Sequence, residues 1–70
     1  MFYFFEKERE FLQCEVRNTE LPDTFAIVVI EPGGKVRTQY VTGSKELQRR
    51  WVALQEDLTA EGWWGPHGRD

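Results

Sequence analysis

The 70-residue chain has few of the residues that small proteins use to reinforce a fold. Its one cysteine, Cys14, cannot form an internal disulfide, and its one histidine, His67, has no partners at metal-ligand spacing. No apolar run approaches the ~18 residues of a membrane span. The apolar start, Met1–Phe5, is too short for a secretory signal and follows no basic residue. We therefore expect a cytoplasmic protein with no membrane or metal partner.

The chain also lacks a basic excess and any catalytic motif. Nine basic residues stand against twelve acidic ones, and this net charge of −3 argues against a general nucleic-acid binder. There is no glycine-rich phosphate loop and no Gly-x-Ser-x-Gly motif. Cys14 alternates with Leu12 and Val16, which predicts a buried thiol, and His67 is expected in a solvated tail. We predict that the protein is not an enzyme and has no catalytic residue and no cofactor.

Four segments carry strand patterns. Residues 2–6 are aromatic, while residues 11–17 and 35–41 alternate between apolar and polar side chains. Residues 24–31 are apolar on both faces, which is typical of a central strand. The connections between these segments are short and contain Asn, Pro, Asp and Gly, so we predict an antiparallel meander.

A helix is predicted after the fourth strand. Ser44 is the expected N-cap and Gly62 the expected residue after the C-cap. Between them an apolar stripe repeats at spacings of four, three and four, formed by Leu47, Trp51, Leu54 and Leu58. The predicted fold class is α+β, a four-stranded antiparallel meander with one C-terminal helix packed on one face (ββββα). We expect a single α+β domain over residues 1–64 and a flexible C-terminal tail over residues 65–70.

One helix can cover only one face of this sheet, so the other face is expected to be partly apolar. The turn Pro32-Gly33-Gly34 leaves two registers open for the last hairpin, with Glu31 opposite either Gly34 or Lys35. In both registers one apolar row of the third strand lies beside Arg37 and Gln39. This face of the sheet has fewer apolar side chains on the neighbouring strand. We expect this side to be the uncovered one.

The small size of the chain favours self-association. A domain of this length buries only ~60% of its unfolded surface, and neither disulfides nor structural metals are available to compensate. The simplest way to gain stability is for a second copy to cover the open face. The other simple way is for an exposed edge strand to pair with the same strand of a second copy. We predict a homodimer. A different protein is the second candidate partner.

Trp63 and Trp64 are adjacent at the predicted helix end, so their side chains cannot follow one direction. We expect one indole to close the core beside Leu58 and the other to cap the sheet or meet a partner. The candidate interaction residues are Tyr3, Phe5, Arg17, Arg37, Gln39, Trp63 and Trp64.

The pattern as a whole resembles a group of short bacterial proteins of unknown function. The resemblance is carried by the aromatic first strand, Cys14-Glu15-Val16-Arg17, Pro32-Gly33-Gly34, and a final helix running into Ala60-Glu61-Gly62-Trp63. It spans most of the chain. The group has no established activity, so the resemblance implies no functional residue.

Two function classes follow from the sequence. The first is a non-enzymatic protein-interaction module that acts as a homodimer through the open sheet face or the Trp63/Trp64 end. The alternative is single-stranded nucleic-acid binding through the open sheet face, because four strands followed by a helix resemble Whirly-like folds in topology. Aromatic stacking beside basic side chains would be its mechanism, with the candidates Tyr3, Phe5, Arg17, Lys35, Arg37 and Gln39. Nucleic acid is the less favoured partner because the sheet half of the chain has no basic excess.

Overall fold

A computed structural model describes residues 1–69 and has six elements. They are β1 (Phe2–Lys7), β2 (Glu10–Asn18), β3 (Thr24–Ile30), β4 (Val36–Thr42), α1 (Ser44–Ala60) and β5 (Trp64–Arg69). The five strands form one sheet in the order β4-β3-β2-β1-β5, and every neighbouring pair is antiparallel. The predicted α+β class and the meander of the first four strands are therefore confirmed. Among the described residues, no helix has the length and apolar character needed to cross a membrane.

The C-terminal segment corrects the prediction of a tail. Residues 64–69 form β5, which pairs with β1 so that Phe4 lies opposite His67 and Glu6 opposite Trp64. A 17-residue helix spans about 25 Å, more than the roughly 19 Å between the first and last of five strands. It can therefore carry the chain from β4 back to the free edge of β1, whose backbone groups need partners. Asp70 lies outside the described residues.

The helix ends as predicted but begins differently. Gly43, with φ 93°, is the N-cap residue, and no side chain caps the helix, so the prediction of Ser44 as N-cap is wrong. At the other end Gly62, with φ 100°, donates its N–H to the Thr59 carbonyl at 3.0 Å. The Trp63 N–H donates to the Leu58 carbonyl at 3.0 Å, which completes a Schellman motif and turns the chain towards β5.

The core lies between α1 and one face of the sheet, here named the covered face. Its main cluster consists of the buried side chains of Phe5, Leu12, Cys14, Val29, Leu58 and Trp63, and Tyr3, Trp51 and Leu54 pack against them. Most of the predicted apolar stripe of α1 thus points at the sheet. The Trp51 ring lies 4.7 Å from that of Tyr3 and 6.4 Å from that of Phe5, measured between ring centroids. These aromatic contacts fix the helix above β1.

The last hairpin adopts the second of the two predicted registers. Ile30 lies opposite Val36, and the Glu31 N–H donates to the Lys35 carbonyl at 2.8 Å. Gly34, with φ 94°, occupies the left-handed position that a three-residue connection requires. Phe25, Ile27 and Val29 consequently share the covered face with Arg37, Gln39 and Val41. The opposite side, here named the open face, carries Ala26, Val28, Ile30, Val36, Thr38 and Tyr40.

Candidate interaction surface

The open face is rich in aromatic side chains at the end formed by β1, β2 and β5. Phe11 and Trp64 are each 58% exposed, and Phe4, on the same face, is half-buried. At the opposite edge Tyr40 is 70% exposed and Val36 is also exposed. The predicted partly apolar face is therefore present, and no element of the described residues packs over it as α1 does over the other side.

A shallow cleft of about 600 Å³ lies among the aromatic side chains. We name it the aromatic cleft, and it is lined by Phe4, Glu6, Phe11, Trp64 and His67. The strand register builds it, because Glu6 lies opposite Phe11 on β2 and opposite Trp64 on β5. The Trp64 and His67 rings meet edge to face, with centroids 4.5 Å apart and planes at 84°.

An irregularity in β5 places two of these side chains on one face. Trp64 and His67 are three residues apart, an odd separation that would put them on opposite sides of a regular strand. The pairing of β1 with β5 shifts between Phe4 and Glu6, across the segment that contains Gly65. This shift returns His67 to the side of Trp64 and opens the cleft between them.

The electrostatics of the aromatic cleft are set by Glu6. Among the side chains that the structure describes, those of residues 1–68, this half-buried residue has no ion pair or side-chain hydrogen bond. The neighbouring Lys7 extends to the covered face, where its Nζ donates to the Glu61 carbonyl at 2.8 Å and lies 5.4 Å from the Trp63 ring centroid. The cleft therefore presents an unbalanced carboxylate beside aromatic rings.

Two of the predicted interaction residues, Tyr3 and Phe5, lie on the covered face. The Phe5 side chain is fully buried, and Tyr3 packs against Trp51, so the expectation that they line the open face is wrong. The alternation of β1 separated the two rows correctly, but only the packing of α1 decided which row is covered. Phe2 and Phe4 occupy the open row.

The predicted polar residues are divided between the two faces. Arg17 lies on the open face, and its Nε contacts a Glu15 carboxylate oxygen at 2.8 Å, which lowers the pKa of Glu15 chiefly by hydrogen bonding. Arg37 and Gln39 lie on the covered face, not the open one as expected. Arg37 pairs with Glu31 at 3.0 Å, and Gln39 accepts a hydrogen bond from Arg50 at 3.0 Å. The helix covers this side because its apolar stripe meets the larger apolar row of β2 and β3.

The two tryptophans separate as the sequence predicted. Trp63 is 8% exposed and closes the core with Leu58, whereas Trp64 is exposed on the open face. Sequence reasoning missed Phe4, Glu6 and Phe11 as neighbours of Trp64, because the C-terminal strand that brings Trp64 to them was not predicted. Alternation within residues 2–6 and 10–18 was the available signal for the first three residues.

The free edge of β4 is the second surface that can make contacts. The seven residues of β4 pair with β3 without a register shift and include neither proline nor glycine. The Glu31 N–H bonds to Lys35 and the Gly43 N–H to Asp23, so the bonded positions of β4 are the odd-numbered ones. The backbone groups that point outward therefore belong to Val36, Thr38, Tyr40 and Thr42. The β5 edge differs, since it contains Gly65, Pro66 and a register shift.

Other reactive groups do not form a site. Cys14 is fully buried on the covered face, and burial raises its pKa to about 11, with Arg37 opposing the shift. His67 lies on the open face, so the two residues are on opposite sides of the sheet. Among residues 1–69, no three His, Cys, Asp or Glu side chains form a group that could hold a metal ion.

Comparisons of the chain with protein-family models, with curated proteins and with solved structures found no match. Two surfaces of this protein are free to make contacts, namely the aromatic cleft on the open face and the free edge of β4.

Proposed function

We propose that this protein is a non-enzymatic interaction module that works as a homodimer, with the β4 edges joining two copies and the open face left for a further partner. The observation that carries the dimer is the regular, unprotected β4 edge. Edge strands are commonly protected from pairing by proline, bulges, lysines or short length. β5 has such features, whereas β4 has no proline, bulge or lysine over seven residues, and its one charged residue, Arg37, is paired with Glu31.

A two-fold axis near Gln39, the middle residue of β4, gives the pairing that uses the whole strand. Thr38 then lies opposite Tyr40 of the second copy, and their outward backbone groups exchange hydrogen bonds. Arg37 lies opposite Val41 of the second copy, so no charged side chain faces its own duplicate. The pairing joins two five-stranded sheets and continues both open faces across the axis.

The association also compensates for the small size of the chain. A core of this size rarely supplies more than ~3–5 kcal/mol of stability. Edge pairing satisfies outward N–H and C=O groups and reduces the exposure of Tyr40, which is large in the single chain. These gains offset the entropy lost when two chains associate.

Sedimentation of three proteins tests the dimer. We expect the wild-type chain to sediment as a dimer and a T38K/Y40K variant to sediment as a monomer, because lysines from the two copies would lie side by side. The matched control is L21K/V52K, which adds the same charge at exposed apolar positions in a loop and on α1 and should remain dimeric.

Two outcomes would refute the proposed dimer. One is a wild-type chain that stays monomeric at millimolar concentration. The other is a T38K/Y40K variant that keeps its dimer while its circular dichroism shows an intact fold. A Thr38→Pro variant removes only an outward N–H of β4 and should separate the copies without adding charge.

Single-stranded nucleic-acid binding is the second candidate function, and the exposed rings of Phe11, Tyr40 and Trp64 favour it as stacking platforms. Its proposed basic residues do not support it as a group, because Arg17 is paired with Glu15 and Arg37 lies on the covered face. An oligonucleotide titration at low salt is the test, since backbone contacts are strongest there. Absence of binding would eliminate this candidate.

A further inference from the structure

We infer that the aromatic cleft binds a basic side chain, arginine or lysine, presented by a segment of a partner protein. This inference rests on the proposed role of the open face as an interaction surface, and it is independent of β4 pairing. Three features carry it, namely the exposed rings, the Glu6 carboxylate and the net negative charge of the protein.

The exposed rings supply the apolar part of the site. Trp64 and Phe11 leave more than half of their surfaces to solvent, and Phe4 is a third aromatic side chain in the lining of the cleft. The contact of Trp64 with the His67 ring restrains the indole. A guanidinium or ammonium group is attracted to the faces of such rings, most strongly to tryptophan, while its aliphatic stem covers apolar surface.

Glu6 sets the sign of the charge that the cleft accepts. This half-buried residue lies opposite Phe11 on β2 and opposite Trp64 on β5, and it has no ion pair with the side chains of residues 1–68. A carboxylate attracts a cation and repels an anion at the same place. Rings and carboxylate together thus match one kind of group, a cation with an apolar stem.

The surroundings of the cleft extend this preference to a segment of chain. The β1–β2 turn next to Glu6 consists of one acidic and one basic residue, Glu8 and Arg9, and the whole protein has a net charge of −3. On the open face, Arg17 is already neutralised by Glu15. A segment with several basic residues would be attracted towards this end of the sheet.

The shape of the cleft favours a side chain over a free small molecule. It is wide open to solvent and has no fully buried polar group in its lining, so it cannot enclose a ligand on all sides. Small-molecule sites normally bury most of their ligand. A side chain delivered by a peptide gains further contacts along the open face.

A nuclear magnetic resonance titration at low salt tests the site, with tetra-arginine amide as the probe. We expect the indole N–H of Trp64 and the amides of Phe4 and Phe11 to shift. The indoles of Trp51 and Trp63, which lie on the covered face, should stay in place and act as internal references. Tetraglutamate should cause no shift at these positions.

Two substitutions that change the net charge by the same amount distinguish binding in the aromatic cleft from general electrostatic attraction to the protein. Glu6→Gln should weaken tetra-arginine binding about fivefold, as expected for loss of a charge partner beside aromatic rings. Glu56→Gln, on the exposed surface of α1, should leave the affinity within about twofold because a distant surface charge is screened. Trp64→Leu should reduce binding more than Glu6→Gln.

Four outcomes would overturn the inference: no shift with tetra-arginine, shifts away from the aromatic cleft, equal weakening by Glu6→Gln and Glu56→Gln, or tetramethylammonium binding as tightly as tetra-arginine. The last would assign the cleft to a free cation instead of a peptide. Retained tetra-arginine binding by monomeric T38K/Y40K supports the cleft and keeps its test separate from that of the dimer.

Discussion

Cys14 illustrates how burial decides the chemistry of one residue. Its side chain has no exposed surface, and loss of hydration raises its pKa to about 11, with only a smaller opposing effect from Arg37. A nucleophilic cysteine requires a thiolate, which an apolar environment disfavours. Cys14 is therefore a packing residue, as its alternation with Leu12 and Val16 indicated.

The raised pKa predicts a loss of stability in alkaline solution. The folded thiol releases its proton near pH 11 and the unfolded thiol near 9.0, so the unfolded chain loses its proton first. The contribution of Cys14 is complete below pH 9 and disappears as the pH rises from about 9 to 11. Denaturant unfolding at a series of pH values measures this decrease.

A Cys14→Ala chain is the control for this prediction, because tyrosine and lysine residues also titrate in this range. The difference in unfolding free energy between wild type and Cys14→Ala should shrink towards pH 11. A difference that stays constant between pH 8 and 11 would contradict the assigned shift.

Among the elements, β5 depends on one glycine. Gly65 has φ 151°, and a Cβ placed there would lie 2.8 Å from the Phe4 carbonyl oxygen and 3.1 Å from the Phe5 ring. The backbones of β5 and β1 approach so closely here that no side chain fits. The same approach brings Trp64 beside Phe11 and Glu6, so this glycine supports the aromatic cleft as well as the strand.

We predict that Gly65→Ala separates β5 from β1. The added methyl group meets backbone atoms that cannot move independently, so we expect a loss of about 1–3 kcal/mol in unfolding free energy. Hydrogen exchange of the β5 amides should accelerate more than that of β2 and β3. Gly33→Ala is the matched control, since Gly33 also has positive φ but an added methyl group there would have no neighbouring atom within 4 Å.

Exchange rates that change equally for Gly65→Ala and Gly33→Ala would contradict this assignment. Such a result would mean that backbone strain alone, and not the contact with Phe4 and Phe5, limits the residue at position 65.

For the whole molecule, stability and assembly are linked. One helix shelters one side of the sheet, and the exposed rings of the other side remain in water in a single chain. A protein that gains part of its stability by pairing must become more stable as its concentration rises, because only the folded chain binds a second copy.

We therefore predict a melting temperature that increases with protein concentration. Scanning calorimetry from about 10 μM to 1 mM should show a steady rise for the wild-type chain, as mass action requires. T38K/Y40K should melt at one temperature throughout this range. A wild-type melting temperature independent of concentration would count against the dimer.

Local pattern was sufficient for much of the fold. Period-two alternation in residues 11–17, the apolar run of residues 24–31 and the apolar stripe of α1 located the meander and the helix, because such patterns reflect burial directly. The Pro32-Gly33-Gly34 turn left two registers, and the hydrogen bond between Glu31 and Lys35 resolved them. Burial of one tryptophan was also predictable, since two adjacent indoles cannot share a direction.

The remaining features arise from contacts between segments distant in the sequence. Gly-Pro-His-Gly has no strand pattern of its own, and it becomes β5 because α1 delivers it to the unpaired edge of β1. The choice between Tyr3/Phe5 and Phe2/Phe4 as the covered row was undecidable from alternation, because both rows are aromatic and only the position of Trp51 selects one. The aromatic cleft has the same origin, since Glu6, Phe11 and Trp64 meet only when β1 pairs on both sides.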